Sequence, residues 1–585
     1  MTPNRLFHRA IVLAIISILP LMPIFSQMSV PRPPEISSGA DASRFRVKAP
    51  SLFLDEPITQ VTSASNVINA IDFATDGSNN GGFLHIPPDP HGAVGLNHVV
   101  NVVNTSLEWY TKAGTIQNSQ SLQSFFSSPT NTFDPKVLYD QYSDRFLVVT
   151  MEVDGRDDMN TGNDVSTIYI AVSKTADPNS GWWKASYSAV TMISGNNTWA
   201  DYPGFAIDEE AIYVAANMFA FNGEPFGTDP DFTSFGGVRL WIIPKSGIYS
   251  GGALGQSIYD PYSGGGIAVT TQPAHTFGTT PTGLGTYLIG YNGISDGTNE
   301  FIQSIRVDNP LSAPTFNLSY VGLGDLETNP MPVPDAPQMG SATLIDAGDS
   351  RALNAVWRDG KIALCFTYNS GGEATAHWVL LTASGGAPGF SDQGDVGGED
   401  VATGAHTFYP SVALNQNGDL GIGFALSAPT LYAGAYYTGR ASGDASGMTD
   451  PVKVLKAGVA PYVRTFGGTR NRWGDYSATV VDPSDDVSFW VYNEYAMTQG
   501  TMTMMPNEDG RWATAYGKFQ IGDCPDMLPL AGTIAAGTYT ANTINATGLI
   551  NAPSMVTFDA MNTELNPTFT VNLGATLETL SNGCP

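Results

Sequence analysis

Asp89 and His91, Asp134 and Lys136, Asp201 and Tyr202, His275, His406 and Tyr409, and Arg472, Trp473 and Asp475 each stand just ahead of a β-rich apolar run. Aspartates in pairs are what glycoside hydrolysis needs: one carboxyl protonates the leaving oxygen, while another, about 5 to 10 Å away, acts as base or nucleophile. Asp89, Asp134, Asp201 and Asp475 are the candidates for those roles. His91, Tyr202, His406, Tyr409, Arg472 and Trp473 make a binding set, with Trp473 and Tyr202 suited to stacking on a sugar ring. His91, His275 or His406 with a carboxylate would suit a metal ion, though no closely spaced ligand pair supports that reading. Separately, Asp392, Asp395, Glu399 and Asp400 lie in a Gly-rich stretch able to wrap calcium, a hard cation. That stretch lacks EF-hand spacing, and a solvated acidic turn accounts for it better. Phosphate-binding glycine loops, Gly-x-Ser-x-Gly elbows and His-Glu-x-x-His motifs are absent.

A repeat in register would bring residues so far apart in the chain to one place. A unit recurs in which Pro, Ser or Gly is followed five residues later by Asp or Asn, then a polar turn and an apolar run. The intervals from Asp140 to Asp208, Asp208 to Asp346, Asp346 to Asn415 and Asn415 to Asp482 are 68, 138, 69 and 67 residues. A degenerate copy at Pro273 to Gly278 halves the long interval, and a compact copy at Gly92 to Asn97 leads the series. The count is seven units, or six without the degenerate copy. The second unit holds four strand-like runs, Lys136–Tyr139, Arg145–Val153, Thr167–Ser173 and Trp183–Ala189. Repeats of four antiparallel strands predict an all-β, seven-bladed β-propeller. The repeated Asp or Asn has a structural role open to it: its side chain can accept from nearby backbone N–H groups and fix the turn. The last unit has room for about three strands, so a strand from Ser51–Phe73 is expected to complete it. In that register the starts of the innermost strands meet at one mouth of the channel.

Composition agrees. Gly 63 and Pro 39 suit short strands and turns, and 42% apolar residues suffice for a large core. With 54 acidic against 26 basic residues the net charge is −28, which excludes nucleic acid as a partner. Arg5 and Arg9 before the apolar run Ala10 to Phe25 read as an export signal cleaved near Ser26, so residues 1–26 are a signal peptide and 27–50 a Pro-containing linker. No later run is long and apolar enough to span a bilayer, so the mature chain is expected to have no transmembrane segment. The ring is placed at 51–522 and a small β module at 523–585, where charge nearly vanishes. Cys524 and Cys584 bracket that tail and suit a disulfide in an exported protein, while Cys365 reads as a buried thiol.

The stretches Pro88-Asp89-Pro90-His91-Gly92-Ala93-Val94-Gly95, Asp134-Pro135-Lys136-Val137-Leu138-Tyr139-Asp140, Asp201-Tyr202-Pro203-Gly204 and Arg472-Trp473-Gly474-Asp475-Tyr476-Ser477 carry a family likeness. Together they resemble a family of secreted bacterial β-propeller proteins, mostly uncharacterised and sometimes labelled sialidase-like, over roughly residues 85 to 500. The tail resembles a three-coathanger stack module. The resemblance implies a bacterial protein, secreted or held at the cell surface, and little chemistry. A sialidase proper needs several arginines around a carboxylate, and only Arg472 stands at the mouth. The function expected is therefore binding of an extracellular glycan or protein, with a glycoside hydrolase using the mouth aspartates as the alternative.

Overall fold

The computed structural model describes residues 60–581, apart from 156–161, 222–233, 327–331, 466, 501–507, 523–526 and 535–536. The expected signal peptide and linker, and both Cys524 and Cys584, lie outside the described residues.

Seven sheets form a propeller, antiparallel except for one added parallel strand in the fifth, each built outward from a strand that lines the channel. Blades one to three start with His91–Val94, Thr132–Asp140 and Asn196–Ile207. Blades four to seven start with Thr271–Pro273, Asn354–Arg358, His406–Leu414 and Ala478–Val481. Blade two has the four expected strands, at Thr132–Asp140, Arg145–Asp154, Val165–Ser173 and Trp182–Ser188. The strand Ser65–Asp72 pairs with Arg511–Phe519 and completes blade seven, as the short last unit requires. Beside it, Gln60–Val61 pairs with Ile521–Gly522 where the chain enters and leaves the ring.

The inner turns show why Asp and Asn recur. Asp208 Oδ1 accepts from the N–H groups of Glu210 (2.7 Å) and Ala211 (2.6 Å), and Asn415 Oδ1 from Asn417 and Asp419 (2.9 Å each). Asp140 and Asp482 cap their turns likewise, at 2.9 Å to the N–H of Tyr142 and of Ser484. Asp346 does not belong to this series. Ser341–Ile345 pairs with Ala336–Gln338 as a separate hairpin inserted between blades four and five, and the inner strand of blade five is Asn354–Arg358. Its turn residue is Asp359, in the left-handed region at φ 48°. The even spacing through Asp346 reflects chain length and not strand pairing. The degenerate copy is also redistributed: Thr271–Pro273 opens blade four, while His275–Phe277 crosses to run parallel beside Asn354–Arg358 of blade five.

The apolar core lies between blades, as face-to-face sheet packing demands. Leu147, Val149, Ile212 and Val214 join blades two and three, and Val94, Val99, Trp490 and Tyr516 join blades one and seven. After the ring, Met527–Leu530, Gly537–Ala546, Met555–Leu565 and Thr576–Leu580 form a wholly parallel sheet, with Ile544, Val556 and Phe558 in its own core.

Candidate functional site

A repeated backbone device builds the strand-start end of the channel. In blades two, three and six the inner strand slips register at Phe133/Lys136, Asp201/Gly204 and Phe408/Ser411. The residue at each slip precedes a proline and has a left-handed φ: Asp134 at 50°, Tyr202 at 53°, Tyr409 at 49°. Asp89, before Pro90, adopts 46°. A left-handed non-glycine residue costs about 1 to 3 kcal/mol and persists only where its surroundings hold it. Here they do. Asn104 donates to Asp89 Oδ2 (2.7 Å) and accepts from the Asp134 N–H (2.8 Å). Asp134 Oδ2 accepts from the Tyr202 N–H (3.2 Å), and the Tyr202 hydroxyl donates to the Asp475 carbonyl (3.0 Å). Tyr476 donates to the Pro135 carbonyl (3.3 Å) and Ser477 to the Tyr409 carbonyl (3.0 Å). The bulged residues thus stitch blades one, two, three, six and seven together.

Charge is concentrated and dry at this end. Arg472 pairs with Asp475 at 2.7 Å. Burial, reinforced by Asp475, holds the Asp89 carboxyl well above the usual carboxylate range. Burial does the same to Asp134, helped by Asp201 and Asp89, and to Glu494, helped by Asp89 and Asp475. Opposing its own burial, Asp475 and then Asp89 keep the Arg472 guanidinium firmly protonated. His91 is pushed down to about 3 by burial and by Lys136, so it is neutral at physiological pH; its Nδ1 accepts from the Val137 N–H at 3.4 Å. Asp89 Oδ1, Glu494 Oε2 and Arg472 Nε are buried without a partner.

The group is also roofed. Gln338 of the inserted hairpin exchanges hydrogen bonds with the Tyr462 backbone (2.7 and 2.8 Å), and the Asp346 N–H donates to the Asn471 carbonyl (3.0 Å), so the hairpin clamps the segment leading to Arg472. Tyr409 lies against Gly348, where any Cβ would come within 2.8 Å of its ring. Trp473 is not a stacking platform. It is fully buried, edge-on to Tyr462 at 5.1 Å. Tyr202 is buried too, edge-on to Tyr476 at 5.8 Å.

Of the expected site residues, Asp89, Asp134, Asp201, Asp475, Arg472, His91, Lys136, Tyr202 and Tyr409 come together. His406 does not join them; its Nδ1 accepts from the Ala374 N–H of blade five at 3.1 Å. His275 sits at the opposite end, 3.3 Å from Gln141 and 4.7 Å from the Phe277 ring. The acidic loop does not converge either. Asp392 takes Arg440 and the Ser446 hydroxyl, Asp395 takes Tyr368 and His377, Glu399 the Gly404 N–H and Asp400 the Val452 N–H. Among the described residues no three His, Cys, Asp or Glu side chains gather as metal ligands. Sequence reasoning missed Glu494, whose signal was one carboxylate inside the apolar strand Phe489–Met497, and Arg351, whose guanidinium lies 4.6 Å from the centre of the Tyr202 ring, so Arg472 is not the lone arginine expected at this end.

From that dry floor a cavity of about 340 Å³ runs down the axis. His91, Lys136 and Ser477 close it, Ala93, Leu138, Val356 and Val480 wall it, and Asp144, Gly278 and Asp486 surround its opening at the inner turns. Arg358 holds Asp486 there in a two-armed ion pair, and Tyr139 donates to Asp144 at 3.1 Å.

No protein-family model and no curated protein matches the chain. Among solved structures it is similar to a protein of unknown function from Dyadobacter fermentans DSM 18053, at 10% identity over 66% of this chain and 94% of that one, TM-score 0.32. It is similar to the GH93 alpha-L-arabinofuranosidase of Fusarium graminearum in complex with arabinobiose, at 7% identity over 77% and 98%, TM-score 0.35. It is similar also to the Hadza microbial sialidase Hz136, at 12% identity over 69% and 72%, TM-score 0.32. Likenesses at this level say nothing of what this chain binds.

Proposed function

We propose that this protein is a non-catalytic binding propeller of the bacterial exterior, which takes a glycan through the open end of its central channel. One observation carries the reading: the mouth carboxylates lie under a roof, with Asp134 bonded across to blade three and Asp475 paired with Arg472, whereas the ligand-sized cavity opens at the other end. The pair of free carboxylates that hydrolysis needs does not face that cavity; its acidic lining residues are Asp144 and Asp486, and Asp486 is held by Arg358. The export signal in the sequence supports the location, with residues 51–522 as the binding ring and 523–585 as an appended module. The hydrolase alternative rests on the contrast at the mouth between Asp89 or Asp134, pushed well above the usual carboxylate range by burial, and the Arg472-paired Asp475. A glycan panel separates the two. Binding without release of any product is expected. Product release by the wild type that is abolished in Asp134→Asn overturns the reading.

A further inference from the structure

The acidic surface of this chain gives way, inside the channel, to a donor-bearing floor. Lys136, buried, has no hydrogen bond or ion pair among the described residues; its Nζ rests 4.7 Å from the centre of the Tyr476 ring and 5.7 Å from that of Tyr202. Gln272, equally buried, lines the same cavity with its amide N–H₂ unpartnered. Cations and amide donors left without acceptors in a dry wall are costly, and a ligand that supplies the acceptor offsets that cost. Towards the opening, the Gln141 amide donates to the Thr276 carbonyl at 2.7 Å and faces its oxygen to His275 Nε2. His275 Nε2 therefore carries the proton, and its unpartnered Nδ1 is an acceptor for a hydroxyl. One positive charge with an amide donor suits a carboxylate, which carries one charge, better than a phosphate dianion.

Resting on the binding reading above, we infer that the channel takes a sugar acid: the carboxylate seats on Lys136 and Gln272 at the floor, and a ring hydroxyl faces His275. The groups facing Lys136 are His91 of blade one, Asp134 on its own strand, Tyr202, Tyr476 and Cys365. Burial, opposed by Asp134, lowers the Lys136 ammonium to about 8, so the floor loses its charge within an accessible pH range.

The test is calorimetric titration of the full chain with D-glucuronate, with D-glucose and with a uronate-terminated trisaccharide; the last separates a free monosaccharide from a chain end as the source. Glucuronate, or the trisaccharide, is expected to bind about tenfold or more tightly than glucose, to weaken by a similar factor in Lys136→Met, and to weaken in the wild type as pH rises from 7 to 9. The wild-type pH series needs no variant to fold, and Gln272→Met gives a second, milder perturbation. Equal affinity for glucose and the acids, unchanged acid affinity in Lys136→Met, or no acid binding at all overturns the inference. Neutral glycans binding wild type and Lys136→Met alike leave the binding reading standing without it; cleavage of any glycan overturns the reading itself.

Discussion

At the strand-start end of the channel, bulged backbone, buried carboxylates and an inserted hairpin are locked together; at the inner-turn end the same seven strands leave a cavity open to solvent. The two ends draw on similar residue types, Asp, Arg, His and Tyr, and differ in what those residues are bonded to. At the closed end side chains of the bulged segments reach from blade to blade, as Asn104 does between Asp89 and Asp134 and the Tyr202 hydroxyl does to Asp475. At the open end bonds are local, as with Tyr139 and Asp144, or join elements around the opening, as with Arg358 and Asp486, and leave the cavity between them. A dense set of chemically able residues can thus serve a ring as its seam, and the sparser end is left free to receive a ligand.

The largest expected difference is in packing. Trp473→Ala at the closed end should destabilise the ring by about 3 to 5 kcal/mol, as for other fully buried aromatics. Phe277→Ala, half-buried at the open end, should cost roughly 1 kcal/mol. Denaturant unfolding of both checks this, and equal losses would break the contrast. Next comes the seam itself. Asp134→Ala leaves the Tyr202 N–H unpaired and puts a residue less tolerant of left-handed φ at the bulge, costing about 1 to 3 kcal/mol, whereas Asp144→Asn at the rim, which keeps a residue tolerant of its own φ of 53° and an acceptor for Tyr139, should stay within about 0.5 kcal/mol of wild type.

The seam should also have a pH signature. Asp89 has a folded pKa raised above its unfolded value, so its contribution is full below the unfolded range near 4 and declines as pH rises towards the folded value. Asp89→Asn removes that titration, and its stability relative to wild type should climb with pH by at most ~1.4 kcal/mol per unit. His91 acts the other way. Its pKa, depressed to about 3, makes its contribution full above about 6.5 and lost as pH falls towards 3. Thermal unfolding of wild type and Asp89→Asn from pH 4 to 8 separates the two; a constant gap between them would show that Asp89 does not titrate differently on folding. The smallest effect concerns Cys365, whose Sγ donates to Asn354 Oδ1 (3.1 Å) and the Pro410 carbonyl (3.2 Å), with burial pushing the thiol up. A thiol reagent should leave it unmodified in the native protein, and rapid labelling would show that the wall behind the channel opens.

The ring was legible because turn chemistry is local: Asp140, Asp208, Asn415 and Asp482 bind backbone N–H groups within four residues, so each blade writes its own mark. The closing strand was legible from a shortage, since blade seven lacked a fourth run. Asp346 misled because spacing records length and not pairing, and a hairpin of the right length passes for part of a blade. The convergence of Asp89, Asp134, Asp201, Arg472 and Asp475 followed from repeat register. Their burial did not, because the roof comes from distant segments around Gln338 and Tyr462. Nor did the channel's open end, which is set by the crossing of His275–Phe277 to blade five.

The union of Ser65–Asp72 with Arg511–Phe519 also has a kinetic side. Ser65 pairs with Lys518, 453 residues away, so a strand made early finds its place only when nearly the whole ring has been made. Until then Arg511–Phe519 offers an unpaired edge to any extended segment, including the same strand of another copy. Exchange of that strand gives a dimer with every native pairing intact, and crowding of unfinished chains during production favours it over the monomer. Keeping nascent chains dilute steers assembly back to the closed single ring.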